Sequence, residues 1–180
     1  NIVEERTVGP DLGKDSITSG SISLVVGFIL VVLYMFYKYR FFGLIANVSL
    51  ISNLLMLIGV LTILEATLTL PGIAGIILTV GMAVDANVLI FERIREEMRT
   101  EKSVIHAFDI GYSRAKITVF DANITTLIAT FILFFFGSGP VKGFAVTLGI
   151  GILTTLFSAY FIARHLTSYY VLKNRDNVKI

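Results

Sequence analysis

The sequence predicts an all-α protein, a polytopic membrane helix bundle with five transmembrane helices. Composition is the first reason. Of the 180 residues, 55% are hydrophobic and 16% charged, against about 25% charged in a typical soluble domain, and the mean hydropathy is +0.82. The second reason is that charge-poor apolar windows recur along the chain, each long enough to cross a ~30 Å hydrocarbon core as a helix. The third is that Lys and Arg collect at alternate connections.

The same composition excludes disordered, collagenous and coiled-coil proteins. With 15 basic and 13 acidic residues the net charge is +2, which gives no reason to expect nucleic-acid binding. There is no cysteine, hence no disulfide framework and no thiolate metal site. His106 and His165 are the only histidines, so neither a histidine metal centre nor any cofactor is expected.

Residues 1–16 are polar, with Glu4, Glu5, Arg6, Asp11, Lys14 and Asp15, and read as an extracytoplasmic segment. They are neither a start nor a signal peptide, so the chain is expected to be a piece of a longer protein. Span one, residues 17–37, is 21 residues without a charge. Lys38 to Arg40 connect it to span two, residues 41–64, which is 24 residues without a charge. Glu65 marks the next connection, and Pro71 and Gly72 suit a helix start.

Span three, residues 68–91, contains Asp85; span four, residues 117–137, contains Asp121. Between them lies a charged cytoplasmic loop, residues 92–116, read as a solvated helical continuation followed by a short helix capped by Ser103. That helix fits either the membrane surface or a solvated connector. A Gly-Ser-Gly-Pro turn at 137–140 leads to span five, a charge-free stretch of 21 residues between Lys142 and Arg164. The membrane domain is thus placed at 17–165 and a cytoplasmic tail at 166–180.

Twelve Lys and Arg fall on one side of these spans and three on the other. The basic side is expected to be cytoplasmic, with the N-terminus outside and the C-terminus inside. Small residues recur at helical spacing on three spans: Ser19, Ser23 and Gly27; Gly72, Gly75, Thr79, Ala83 and Ala86; and Gly143, Thr147, Gly151, Thr155, Ala159 and Ala163. Such stripes let helix backbones approach closely in lipid. Asn47 and Asn53 read as packing residues, and the aromatic residues at span ends as interface anchors.

The chemistry lies in the two acids. Placing an Asp inside a span costs ~2.5–3.5 kcal/mol on insertion scales, so each needs a reason. Each also begins the same short repeat, Asp85-Ala86-Asn87 and Asp121-Ala122-Asn123. Asp85 lies about 9 Å from the inner boundary and Asp121 about 6 Å, at 1.5 Å per residue. On antiparallel helices the two sit at similar depth and could face each other if rotation allows. A carboxyl in low dielectric near a like charge can take and release a proton near neutral pH, which makes Asp85 a proton-relay candidate. Asp121 reads equally as a second relay or as a carboxylate near a helix N-terminus. Asn87 and Asn123 would support them or bond between helices. No Lys or Arg lies inside a span, so a cationic partner must come from elsewhere.

Three segments carry a family resemblance: Ile2-Val3-Glu4-Glu5-Arg6-Thr7-Val8-Gly9-Pro10; Leu70-Pro71-Gly72-Ile73-Ala74-Gly75 through Val84-Asp85-Ala86-Asn87-Val88 to Glu96-Glu97; and Phe120-Asp121-Ala122-Asn123-Ile124-Thr125-Thr126. They resemble the C-terminal membrane region of the SecD/SecF family, within the resistance–nodulation–division superfamily, and the paired Asp-Ala-Asn motifs favour the SecD branch. The resemblance implies that the five spans are the second to sixth helices of a six-helix half-module. It also implies an accessory role in the Sec preprotein translocase, using the proton-motive force in late export across the bacterial inner membrane, with no enzyme activity. Asp85 falls on the family's proton-pathway aspartate and Asp121 on a motif position of less certain role. Implied partners are SecF, the SecYEG translocon, more distantly YajC and YidC, preprotein through a periplasmic domain, and membrane lipid. Two alternatives stay open: a half-module of a proton-coupled efflux transporter of the same superfamily, and a structural membrane scaffold.

Overall fold

The computed structural model describes residues 10–101 and 103–174, with side chains from residue 17 onward. The expected extracytoplasmic segment and the end of the tail therefore lie largely outside the described residues, although helix already begins at Pro10. Every regular element among the described residues is helical. They are α1 (Pro10–Ile63), α2 (Leu70–Thr100), α3 (Val104–Phe136), α4 (Pro140–Phe157), a π-helical segment (Ser158–Ala163) and α5 (Arg164–Lys173).

Four helices are long and apolar enough to span a membrane, and the first turns back on itself, so the chain makes five crossings. The reversal occurs at Arg40, which has φ 49° and ψ −113°. Beyond it the second limb returns along the first, and Asn47 Nδ2 donates to the Val32 carbonyl at 3.2 Å. Gly43 makes this tightness possible. A Cβ there would overlap the Met35 carbonyl oxygen.

α2 begins where Thr69 accepts from the Gly72 amide at 3.2 Å, with Pro71 in the first turn, where its missing N–H costs nothing. It packs on α4 through the two small-residue stripes. A Cβ on Gly75 would lie 3.4 Å from the Thr147 Cβ, and one on Gly72 3.2 Å from the Thr147 Oγ1. A Cβ on Gly143 would collide with the Thr69 side chain, and one on Gly151 would meet the Thr79 Cγ2 at 2.6 Å. In lipid, where apolar burial drives little association, this close approach is what holds helices together.

The second limb of α1 reaches the last span by hydrogen bonds. Asn53 Nδ2 donates to Thr155 Oγ1 at 3.1 Å and Ser49 Oγ to the Ser158 carbonyl at 3.1 Å. Ser158 opens the π-helical segment, where the wider turn disturbs the regular carbonyl ladder.

Three expectations need correction. Ser19 and Ser23 are exposed and Gly27 has open space beside it. The first limb instead touches the bundle through Leu24, Phe28 and Val31, and Ser23 satisfies itself on the Ser19 carbonyl at 2.8 Å. Several span-end aromatics are core rather than anchors: Tyr39, Phe42 and Phe91 are buried together, with Phe108 and Tyr112 of the connecting stretch, and Phe42 is edge-on to Phe91 at 5.4 Å. Lastly, the charged stretch contains no separate short helix. α2 runs on to Thr100, and α3 is unbroken from Val104 into the membrane span. Gly111 lets the two extensions touch, since a Cβ there would sit 2.7 Å from the Ile94 Cα.

Candidate functional site

α2 and α3 each present an Asp-Ala-Asn repeat, and both use it the same way. Asp85 is exposed, on a stripe with Ala74, Leu78, Gly81 and Leu89 that none of the described residues covers. Asn87, two residues on, is buried, and its Nδ2 donates to the Ala83 carbonyl one turn back at 3.0 Å. Asp121 is likewise exposed, and the buried Asn123 donates to the Val119 carbonyl at 2.7 Å. The Oδ1 of both asparagines is buried without a hydrogen-bond partner among the described residues. The repeat differs in one detail: Ala86 is buried and Ala122 exposed.

Residues two apart on a helix point about 200° apart, so a carboxyl on the open face puts its asparagine in the bundle. The two asparagines bond within their own helices rather than between them. Gly72, Gly75, Gly143 and Gly151 lie at the α2–α4 contact, on the side of α2 away from the Asp85 stripe.

A groove of about 310 Å³ runs between α2 and α3 and is lined by Leu89, Glu92, Arg93, Glu96, Arg114 and Thr118, among others. Leu89 is one turn from Asp85, and Thr118 is three residues from Asp121. Both acids are thus close in sequence to groove-lining residues, although neither lines the groove itself.

The groove's charged end is a built ionic cluster. Glu97 is buried, although the sequence suggested a solvated face; Arg114 reaches it from α3 at 2.6 Å and Arg93 Nε from its own helix at 3.5 Å. Arg93 also pairs with Glu96 at 2.7 Å. Glu92 accepts from the Tyr39 hydroxyl at 2.8 Å and pairs with Arg95 at 3.2 Å and Lys38 at 3.5 Å. Burial pushes the Glu92 carboxyl up, but the Tyr39 hydrogen bond, Arg95 and Lys38 together outweigh it and hold the group below its ordinary 4.5. Sequence reasoning missed Glu97, Arg114 and Glu92 as structural residues. The only signal was the i,i+4 spacing of Arg93 and Glu97, which reads the same for a solvated helix, and Arg114 carried none.

A bundle of membrane-length helices with an exposed carboxyl on each of two of them defines a class: a polytopic membrane module. The chain belongs to the SecD/SecF family. The sequence model described as "Protein export membrane protein SecD/SecF, C-terminal" matches residues 1–173. The chain is 56% identical over 174 residues to the protein translocase subunit SecD of Magnetococcus marinus, covering 97% of this chain and 33% of that protein. It is 54% identical over 180 residues to that of Rhodothermus marinus, covering 100% of this chain and 29% of that protein. The crystal structure of SecDF, a translocon-associated membrane protein from Thermus thermophilus, matches with a TM-score of 0.91 at 40% identity, over 97% of this chain and 25% of that one. The chain thus spans about one third of the curated relatives it matches.

Proposed function

We propose that this chain is the membrane module of an accessory subunit of the Sec preprotein translocase, and that it couples the proton-motive force to late steps of export. The carrying observation is that Asp85 on α2 and Asp121 on α3 are both exposed and lie four and three residues from the lining of one polar groove, while the sequence places no cation within any span. Leaving Asp85 against lipid would cost ~2.5–3.5 kcal/mol. A second membrane module covering the α2–α3 face removes that cost and can supply the missing cation; the name SecDF of the Thermus relative points to a SecF half in this place.

In the proposed cycle, water and protons reach the acids along the groove from its charged end. Protonation removes a charge from the interface between the halves, and the halves shift. The field across the membrane supplies ~2.3 kcal/mol per charge per 100 mV. Asp85 is the principal proton site and Asp121 the second, with Asn87 and Asn123 supporting the two helices from inside. SecYEG, YajC and YidC would be neighbours in the bacterial inner membrane, and preprotein would be engaged by a periplasmic domain. The N-terminus of this chain would lie outside and its C-terminus inside.

The test is Asp85→Asn in the intact protein. Export driven by the proton-motive force should be lost while expression and complex assembly persist. Normal proton-dependent export by that variant would leave only the scaffold reading.

A further inference from the structure

We propose that a groove between α3 and the end of the last span is a binding site for one anionic phospholipid. It holds about 690 Å³, and its lining includes Phe120, Phe157 and Phe161 on apolar walls and Lys116, Arg164 and His165 at its charged end. Lys116 and Arg164 stand at the basic ends of spans four and five. The inference goes beyond the proton-coupling reading and does not depend on it.

The cations are the first argument. Lys38, Arg93, Arg95 and Arg114 each pair with a glutamate. Lys116 and Arg164 are exposed and have no carboxylate partner among the described residues. The Arg164 side chain and the Lys116 backbone are nevertheless held in place. The Arg164 guanidinium lies over the Tyr112 ring at 5.7 Å, and the Tyr160 hydroxyl donates to the Lys116 carbonyl at 3.0 Å, clamping the two walls at that level. His165 Nδ1 donates to the Phe161 carbonyl at 2.6 Å. A basic pocket between helices at headgroup depth is the arrangement that holds an anionic lipid phosphate.

The walls are the second argument. Phe157 and Phe161 stack at 4.8 Å between centroids and form a continuous ring surface, with Phe120 also in the lining. All three are about half exposed, at 48%, 55% and 46%. Transmembrane helices dock on each other through small residues, as α2 and α4 do here, whereas a wall of phenylalanine rings suits flexible acyl chains. A zwitterionic headgroup would bring a further cation to a mouth that already holds two, so the commitment is to a net-negative lipid.

The experiment uses the full-length protein in its complex, in nanodiscs of phosphatidylcholine with and without phosphatidylglycerol of the same acyl chains. Retained lipid is counted by native mass spectrometry. Phosphatidylglycerol should be retained in preference to phosphatidylcholine, and a K116Q/R164Q variant should lose roughly thirtyfold in that preference. A K116R/R164K variant should keep it, and about 0.5 M salt should weaken it in the wild type. A photo-crosslinking residue at position 161 should capture lipid. Equal phosphatidylglycerol retention by wild type and K116Q/R164Q would overturn the proposal. So would a wild type with no preference between the lipids, or capture of a protein segment at position 161. The crosslinking and salt measurements use intact side chains at 116 and 164, so they decide the matter even if K116Q/R164Q fails to fold.

Discussion

Asp85 and Asn87 are two residues apart and serve opposite sides of α2: the carboxyl is exposed, while the amide is buried and bonded to the Ala83 carbonyl. The Asn87 Oδ1 has no hydrogen-bond partner among the described residues. An isosteric apolar side chain should therefore be tolerated. Asn87→Leu should change the unfolding free energy by no more than about 1 kcal/mol, measured by thermal unfolding in detergent. If Asn87 supports the proton site, export falls in the same variant; unchanged export together with a large stability loss would assign Asn87 to packing alone.

Gly151 meets Thr79 at the α2–α4 contact, where a Cβ has no room. Gly151→Ala should destabilise the bundle by roughly 1–3 kcal/mol through overpacking. Thr79→Ala in the same chain should recover part of that loss. A double-mutant cycle on thermal stability checks it, and strict additivity would show that the two residues do not touch.

The Arg114–Glu97 pair joins the two extensions beyond the membrane, with the Glu97 side chain 8% and the Arg114 side chain 57% exposed. Arg114→Leu should cost about 1–2 kcal/mol. That is less than for a fully buried pair, because Arg93 still reaches Glu97 and solvent screens the outer partner. Limited proteolysis near Glu101 should accelerate correspondingly.

Glu92 sets a pH dependence. Its carboxyl is held below the ordinary 4.5 in the folded protein, so it contributes stability that is present above pH 4.5 and is lost as pH falls through the lowered value. A series of unfolding midpoints from neutral to acid pH should fall less steeply below 4.5 for Glu92→Gln than for the wild type. The effect is modest, since the Glu92 side chain is 37% exposed.

Orientation can be read directly, because the sequence has no cysteine. Cysteines introduced in turn at Ser113 and Ser138, both exposed, should label from opposite sides of the membrane in whole cells, with Ser138 reached from outside. Labelling of Ser113 by an impermeant reagent in intact cells would invert the topology.

The crossings were legible in the sequence because hydropathy and length decide them, and the α2 and α4 stripes were legible because small residues at helical spacing permit close helix approach in lipid. The serine stripe had the same period and packs on nothing, because Leu24, Phe28 and Val31 meet the bundle instead. Rotation was not legible. In a membrane helix the lipid-facing and bundle-facing sides are both apolar, so Asp85 could only be assigned a depth. The burial of Glu97 was hidden for a related reason: its partner Arg114 is 17 residues away on another helix. The π-helical turn at Ser158 has no signature in its residue types.

α2 is a single helix of 31 residues from Leu70 to Thr100, about 46 Å long. Asp85 sits near its midpoint, and no break separates it from the tip. A 10° tilt pivoting at that carboxyl would swing Thr100, about 22 Å away, by about 4 Å. Were the proposed coupling to rock α2 about that carboxyl, a small rotation inside the bilayer would reach Thr100 as a displacement of several ångströms.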